Sequence, residues 1–130
     1  MMRRWGSWLI VIGVVIIIIV SGVTAQRYLD RSSGELTEQL EKVGRALDEE
    51  NWEKGRNAFV VFEKSWDRTR LKWALFTDHL ELDNLEMKLA RLREHLHTKD
   101  KVNGRADYGE ALMLLKHIPE RARLTLSNIF

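Results

Sequence analysis

The chain has 130 residues, no cysteine and nearly balanced charge, with 21 lysines and arginines against 19 aspartates and glutamates. The lack of cysteine excludes a disulfide framework, a thiolate metal site and a cysteine nucleophile. Arg3 and Arg4 precede an apolar run, so the residues from Gln26 onward carry 19 charges of each sign. Nucleic-acid-binding proteins concentrate positive charge on one face, whereas the signs alternate here, and we predict no nucleic-acid partner.

The first element is an apolar segment without a charged residue between Trp5 and Gln26, composed mainly of isoleucine and valine. About 20 apolar residues at roughly 1.5 Å per residue match the ~30 Å hydrocarbon core of a bilayer. The sequence therefore predicts a basic flank at residues 1–4 and a transmembrane signal-anchor helix at residues 5–26. The bilayer is the predicted partner of this helix.

The orientation of the anchor is predicted from its flanking charges. The numbers of lysines and arginines on the two sides are equal, and the position of Arg3 and Arg4 at the N-terminus favours a start inside the cell. We predict a single-pass protein of the cytoplasmic membrane with its domain outside. The small residues Val23-Thr24-Ala25 also suit a signal peptidase, so export after cleavage behind Ala25 is the alternative.

The remaining sequence predicts a bundle of about four antiparallel helices, arranged as two hairpins, over residues 34–118. Ser32-Ser33-Gly34-Glu35 has the Ser-x-x-Glu spacing of a capping box, which predicts a linker at 27–33 and a first helix at about 34–50. Asn51 is a plausible cap for the second helix. Apolar residues recur at spacings of three and four in each helix. They are Leu36, Leu40, Val43 and Leu47; Trp52, Gly55, Phe59, Phe62, Trp66, Thr69, Trp73, Phe76 and Leu80; Leu82, Leu85, Leu89, Leu92 and Leu96; Tyr108, Ala111, Leu112, Leu115 and Ile118.

The C-terminal segment follows Pro119, which should end the fourth helix because proline cannot continue the backbone hydrogen bonds. Residues 119–130 are then a short tail, yet they include Leu124, Leu126, Ile129 and Phe130. We expect this apolar tail to pack on the bundle. The alternative is a free docking peptide that a partner protein recognises.

A shift of the chain by 49 residues aligns the leucines of the first helix with those of the third. The same shift aligns Gly55 with Gly104, Phe59 with Tyr108 and Trp66 with Leu115. Two hairpins of common origin would give this match. Any two hairpins with heptad patterns also align at some offset, so both explanations stay open.

A set of motifs spans the chain. It consists of Asn51-Trp52-Glu53-Lys54, Trp66, His79-Leu80-Glu81-Leu82-Asp83-Asn84, Leu89-Ala90-Arg91-Leu92, Lys99-Asp100, His117-Ile118-Pro119-Glu120 and Leu124-Thr125-Leu126-Ser127-Asn128-Ile129-Phe130. With these motifs the chain resembles domain of unknown function family 4363, small single-span membrane proteins of spore-forming Gram-positive bacteria. The resemblance implies membrane attachment, a helical fold and a partnership with other membrane proteins, and it implies no reaction or ligand.

One polar cluster is the best candidate for a ligand or interaction site. It comprises His79, Glu81, Asp83 and Asn84, and on a helix His79 and Asp83 would share a face with Glu86, a geometry able to hold a cation. The ordinary explanation is a helix N-terminus, where Asp78 or Asp83 serves as the cap and acidic residues favour the helix dipole. We favour that explanation and predict no bound metal or cofactor.

The function predicted from these patterns is that of a non-catalytic protein-interaction or structural module at the outer face of the membrane. No phosphate-binding glycine loop, Ser-His-Asp grouping or opposed carboxylate pair can be recognised, so we predict no enzyme. The expected partner is another integral membrane protein, held through an exposed face or through Ile129 and Phe130. The alternative is an extracytoplasmic small-molecule or ion sensor whose ligand enters between the second and third helices.

Overall fold

The computed structural model describes the backbone of residues 2–129 and the side chains of residues 4–125 and 128. It contains four helices, α1 (Met2–Asp48), α2 (Trp52–Ala74), α3 (His79–Thr98) and α4 (Lys101–Ile129), and residues 2–129 include no strand. The predicted all-α class is confirmed. Helix α1 packs against α2 and α4, whereas α3 packs against α4 and less extensively against α2.

The apolar segment and the first bundle helix form one unbroken helix, the 47-residue α1. The prediction of a linker at 27–33 and a helix start at Gly34 is therefore wrong. Ser32 does not cap a helix, because its buried hydroxyl donates to the backbone carbonyl of Tyr28 at 2.6 Å. The same hydroxyl accepts a hydrogen bond from Trp73 Nε1 of α2 at 2.8 Å. The Ser32 side chain thus makes a contact between two helices and does not cap one.

Helix α4 continues through Pro119 to Ile129, so the prediction that the fourth helix ends at Pro119 is wrong. A proline inside a helix leaves the carbonyl four residues earlier without its usual N–H donor. That carbonyl belongs to Leu115, and it accepts a hydrogen bond from the Ser33 hydroxyl of α1 at 2.8 Å. The Pro119 carbonyl accepts another from the Gln26 side chain at 3.2 Å. Two polar side chains of α1 therefore stabilise α4 around its proline.

The boundary between α2 and α3 lies earlier than the apolar spacing predicts. Asn51 caps α2 as predicted, but that helix ends before Phe76, and Asp78 caps α3 by accepting a hydrogen bond from the Leu80 backbone at 2.9 Å. Phe76 and Leu80 were expected in the buried seam of the second helix, and both are exposed. Because a new helix begins at the Asp78 cap, the buried apolar series of α2 ends one turn earlier than its spacing predicts.

A single apolar core lies between the four helices. In α2 the rings of Trp66 and Trp73 meet edge to face, with centroids 5.5 Å apart. The core has contributions from every helix: Leu29, Leu36, Leu40, Val43 and Leu47; Phe59, Phe62, Trp66 and Trp73; Leu82, Leu85, Leu89, Leu92 and Leu96; Ala111, Leu115, Ile118 and Ala122. The heptad positions predicted for the third helix are all buried.

The α1–α2 and α3–α4 turns have the same construction, 49 residues apart. Glu50 and Lys99 adopt the left-handed backbone conformation, with φ of 55° and 58°. The next residues, Asn51 and Asp100, each accept a hydrogen bond from the backbone N–H three residues later. Heptad spacing does not determine such backbone detail. The common turn geometry therefore favours duplication of a hairpin over chance alignment.

The glycines that follow these turns make equivalent close contacts. A Cβ placed on Gly55 would lie 3.2 Å from Leu96 of α3, and one on Gly104 would lie 3.2 Å from Leu47 of α1. Leu47 and Leu96 are themselves 49 residues apart. The bundle thus has an approximate twofold symmetry that exchanges the α1–α2 hairpin with the α3–α4 hairpin.

Candidate binding cleft between α2 and α3

The approximate twofold symmetry makes the α1–α4 interface the counterpart of the α2–α3 interface, but the two are packed differently. Tyr108 of α4 lies directly on the backbone of α1 at Gly44, where an added Cβ would come within 2.7 Å of the ring atom Cε1. Helices α2 and α3, by contrast, leave a cleft of about 280 Å³ between them. The departure from symmetry therefore creates a concave site on one side of the bundle.

The cleft has an apolar floor and charged sides. Buried Trp66 and Leu89 form the floor, and the exposed residues Asp67 and Ala90 lie at the mouth. Two ion pairs cross it from α2 to α3. They are Arg70 Nη1 with Glu86 Oε1 at 3.0 Å and Arg93 Nη2 with Glu63 Oε2 at 3.2 Å.

The spacing of these charges explains why they meet. Glu63 and Arg70 are seven residues apart on α2, as are Glu86 and Arg93 on α3, so each pair occupies one face of its helix. Because the helices run in opposite directions, each glutamate faces the arginine of the other helix. The positions 49 residues away in the α1–α4 interface are uncharged. They are Thr37, Gly44, Leu112 and Pro119.

The indole nitrogen of Trp66 distinguishes the floor of the cleft. Trp66 is only 4% exposed, and its Nε1 is buried with no hydrogen-bond partner among the described residues. The neighbouring Trp73 donates its Nε1 proton to Ser32, so the two tryptophans differ. A buried donor without an acceptor costs about 1–3 kcal/mol. Because Trp66 lines the cleft, an acceptor on an entering group that reached Nε1 would satisfy it.

The ion pairs leave the cleft accessible. Both arginine side chains are 47% exposed, and exposed ion pairs stabilise a protein by only about 0–1 kcal/mol. Exchange of Arg70 from Glu86 to an incoming carboxylate or amide is therefore inexpensive, whereas Arg93 holds Glu63 through both Nε and Nη2. The described residues contain no group of three or more His, Asp or Glu side chains placed to hold a metal ion. The arrangement suits recognition of a polar group.

A family model described as Domain of unknown function (DUF4363) matches residues 23–129. The chain belongs to this family. No curated protein and no solved structure matches it. The DUF4363 match covers the bundle and only the last residues of the apolar run, so membership describes the helical domain.

The polar cluster predicted from the sequence lies at one end of the DUF4363 bundle, outside the cleft. His79 is the first residue of α3, and Asp83 and Asn84 are also exposed. Glu81 is partly buried and pairs with Arg121 of α4. The cap of α3 is Asp78, in agreement with the helix N-terminus explanation.

The remaining predicted positions are separated from that cluster. Glu86, expected on the face of His79, pairs instead with Arg70 in the cleft. Ile129 is the last residue of α4, and Phe130 lies outside the described residues. The cleft itself was missed by sequence reasoning. Its signal is the opposed Glu-to-Arg spacing of seven on two helices, at positions where the 49-residue alignment has uncharged residues.

Proposed function

We propose that this DUF4363 chain is a membrane-anchored, non-catalytic binding module that holds an integral membrane protein through the α2–α3 cleft. The observation that carries the proposal is the charged cleft beside the buried, unpaired Nε1 of Trp66. At the equivalent interface between α1 and α4, Tyr108 packs on the backbone at Gly44. The charged cleft therefore breaks the approximate twofold symmetry of the bundle, which supports a specialised role for this surface.

The anchoring part of the proposal is supported by α1. Its N-terminal half is long and apolar enough to cross a membrane, and this half is not covered by other parts of the described structure. The proposed orientation places the N-terminus inside the cell and the bundle outside. Confinement to the bilayer raises the effective concentration of a membrane partner, so a small recognition site is sufficient.

The chemistry of the cleft defines the partner's contact. A volume of about 280 Å³ accommodates one or two side chains. An aspartate, glutamate, asparagine or glutamine would supply an acceptor for Trp66 Nε1 and compete for Arg70. We therefore expect the partner to insert an acidic or amide side chain from an exposed helix or loop.

Site-specific crosslinking in native membranes tests this proposal. A photo-reactive amino acid replaces Ala90 at the mouth of the cleft, and the matched control replaces Ala106, an exposed alanine of α4. We expect a defined crosslinked membrane protein from position 90 and none from position 106. Absence of that product, or the same product from both positions, contradicts recognition through the cleft. Substitution of Trp66 by phenylalanine should weaken the position-90 crosslink by removing the indole donor.

The second candidate function is small-molecule sensing, favoured by the polar lining of the same cleft. Ligand sites usually enclose about 300–1,000 Å³ and cover most of the ligand. This cleft is smaller and has exposed residues at its mouth, and His79 is solvent-exposed outside it. A low-molecular-weight cell extract that raises the melting temperature of the wild-type chain but not of Ala90→Leu would support the sensor. If the cleft crosslinks to a protein and the extract leaves the melting temperature unchanged, the sensor function is excluded.

A further inference from the structure

We propose that the end of the bundle formed by the α2–α3 turn and the last turns of α4 lies against the lipid bilayer, docked at the headgroup region. This inference rests on the proposed membrane anchoring of α1. It adds a second lipid contact, made by the folded domain itself.

The first observation is the position of the α4 C-terminal segment. Ser33 of α1 contacts Leu115 and Gln26 contacts Pro119, so the two helices run in opposite directions. Residues after Pro119 therefore lie at the level of the part of α1 that precedes Gln26, which is the apolar run. Helix α4 continues to Ile129. At the rise of an α-helix, the ten residues after Pro119 reach about 15 Å further in that direction.

The second observation is a concentration of exposed apolar side chains at the same end. Phe76 and Thr77 of the α2–α3 turn line a small crevice together with Ala122 and Thr125 of α4, so the turn lies beside the terminal part of α4. Leu75 is 76% exposed. Five large apolar side chains of this end are exposed: Leu71, Leu75, Phe76, Leu80 and Leu124. Water is an unfavourable environment for such a group.

The turns at the opposite end of the bundle are almost entirely polar. They contain Asp48-Glu49-Glu50-Asn51 and Lys99-Asp100-Lys101. Among the described residues of that end, Val102 is the only exposed large apolar side chain, at 80% exposure. The apolar run of α1 emerges from the apolar end of the bundle. The difference in exposed apolar side chains between the two ends therefore matches the direction of α1.

Three basic residues of the apolar end, two arginines and a lysine, are placed as they would be at a membrane interface. Arg121 pairs with Glu81, and Arg123 pairs with Asp30 at 2.7 Å. Both guanidinium groups therefore reach from the terminal part of α4 toward the bundle, as long basic side chains do when their stems lie in an apolar environment. The Lys72 ammonium lies 5.2 Å from the ring centroid of Tyr28 of α1. Aromatic and basic residues are enriched in membrane proteins at the interface between the bilayer and water.

These observations select the bilayer over a protein as the occupant. The exposed apolar side chains lie at the end of the bundle from which the apolar run of α1 emerges, so a bilayer that surrounds that run lies next to this end. Leu75 and Phe76 then insert at the headgroup level. The bundle is held at two points and cannot swing freely about α1.

Fluorescence quenching in vesicles tests the docking, using the full-length chain. The chain has no cysteine, so single substitutions Leu75→Cys, Val102→Cys and Ile16→Cys each carry one environment-sensitive fluorophore. The vesicles contain phosphatidylcholine and phosphatidylglycerol, with a nitroxide near the headgroup end of an acyl chain for positions 75, 76 and 102. A parallel set carries the nitroxide near the methyl end of the chain for position 16, which lies at the middle of the proposed span. We expect at least twofold stronger quenching at position 75 than at position 102, together with blue-shifted emission. Phe76→Cys provides a second labelled site with the same expectation.

The position-16 label separates the two proposals. Quenching at position 16 with equal, weak quenching at 75, 76 and 102 overturns the docking and leaves the anchor intact. No quenching at position 16 overturns the anchor. Blue-shifted emission at position 75 that is insensitive to the lipid nitroxide and disappears on dilution of protein in lipid assigns the surface to a second copy of the chain, which overturns the docking.

Discussion

The hydrogen bond from Ser33 to the Leu115 carbonyl gives a sharp test of how α4 accommodates its proline. Ser33→Ala removes the side-chain donor to this buried carbonyl. An unpaired buried carbonyl costs about 1–3 kcal/mol. Alanine is a better helix former than serine by about 0.5 kcal/mol, which offsets part of the loss. We expect a net destabilisation of about 0.5–2.5 kcal/mol.

The same substitution should be nearly harmless in a chain that also carries Pro119→Ala. The alanine introduced at position 119 has a backbone N–H that can donate to Leu115, so the serine hydroxyl is no longer needed. Urea unfolding of the four chains in detergent micelles, followed by circular dichroism, measures the coupling, which we expect to be about 1–2 kcal/mol. Ser32→Ala is the matched control, because its hydroxyl serves Trp73 and its cost should not depend on Pro119. Equal costs of Ser33→Ala in both backgrounds would refute the reasoning.

Four further outcomes are expected. Trp66→Ala should destabilise the chain by about 3–5 kcal/mol in urea unfolding, and an unchanged midpoint would mean that this side chain is not part of the core. Gly44→Ala should lower the melting temperature despite its better helix propensity, because its methyl group overlaps Tyr108, and a rise would show that the ring moves aside easily. Hydrogen bonds from the first turn of α4, above all from a side chain, lower the pKa of the Asp100 carboxyl. The ionised Asp100 carboxylate contributes to stability at pH values above its pKa in the unfolded chain, and this contribution is lost as the pH falls through its lower pKa in the folded chain. Asp100→Ala should therefore reduce the melting temperature at neutral pH and make no difference in strong acid. A reporter that is active only outside the cytoplasm, fused after Phe130, should be active, and a stable but inactive fusion would reverse the proposed orientation.

The sequence predicted those parts of the fold that depend on local patterns. The leucine spacing of α3 identified its buried face, and Asn51 identified the start of α2, because a periodic stripe and a side-chain cap are encoded within a few residues. The helix boundaries at Gly34 and Pro119 were predicted wrongly. Local rules make Ser32 a cap and Pro119 a terminator, whereas contacts with other helices determine their environment in the folded chain. Sequence spacing does not reveal such contacts between distant residues.

The candidate cleft was not predictable for a related reason. Trp66 belongs to an apolar series and is buried, as expected, but its unpaired nitrogen depends on which neighbours surround it. The charges of Glu63 and Arg70 look like an ordinary solvated helix face. They acquire a meaning only when the approximate twofold symmetry shows that the corresponding positions of the α1–α4 interface are uncharged.

If α1 is anchored as proposed, its unbroken course makes the distance between the bilayer and the cleft a fixed length. Trp73 is level with Ser32 through their hydrogen bond, so Trp66, two turns further along the antiparallel α2, is level with about Gln39. Thirteen residues separate Gln39 from the end of the apolar run at Gln26, which corresponds to about 20 Å. One residue inserted into this stretch would raise the cleft by about 1.5 Å and turn it by about 100° around the helix axis. Helix α1 would thus fix the height and direction of the cleft. Only partners whose contact group projects about 20 Å from the bilayer, and faces the cleft, could bind.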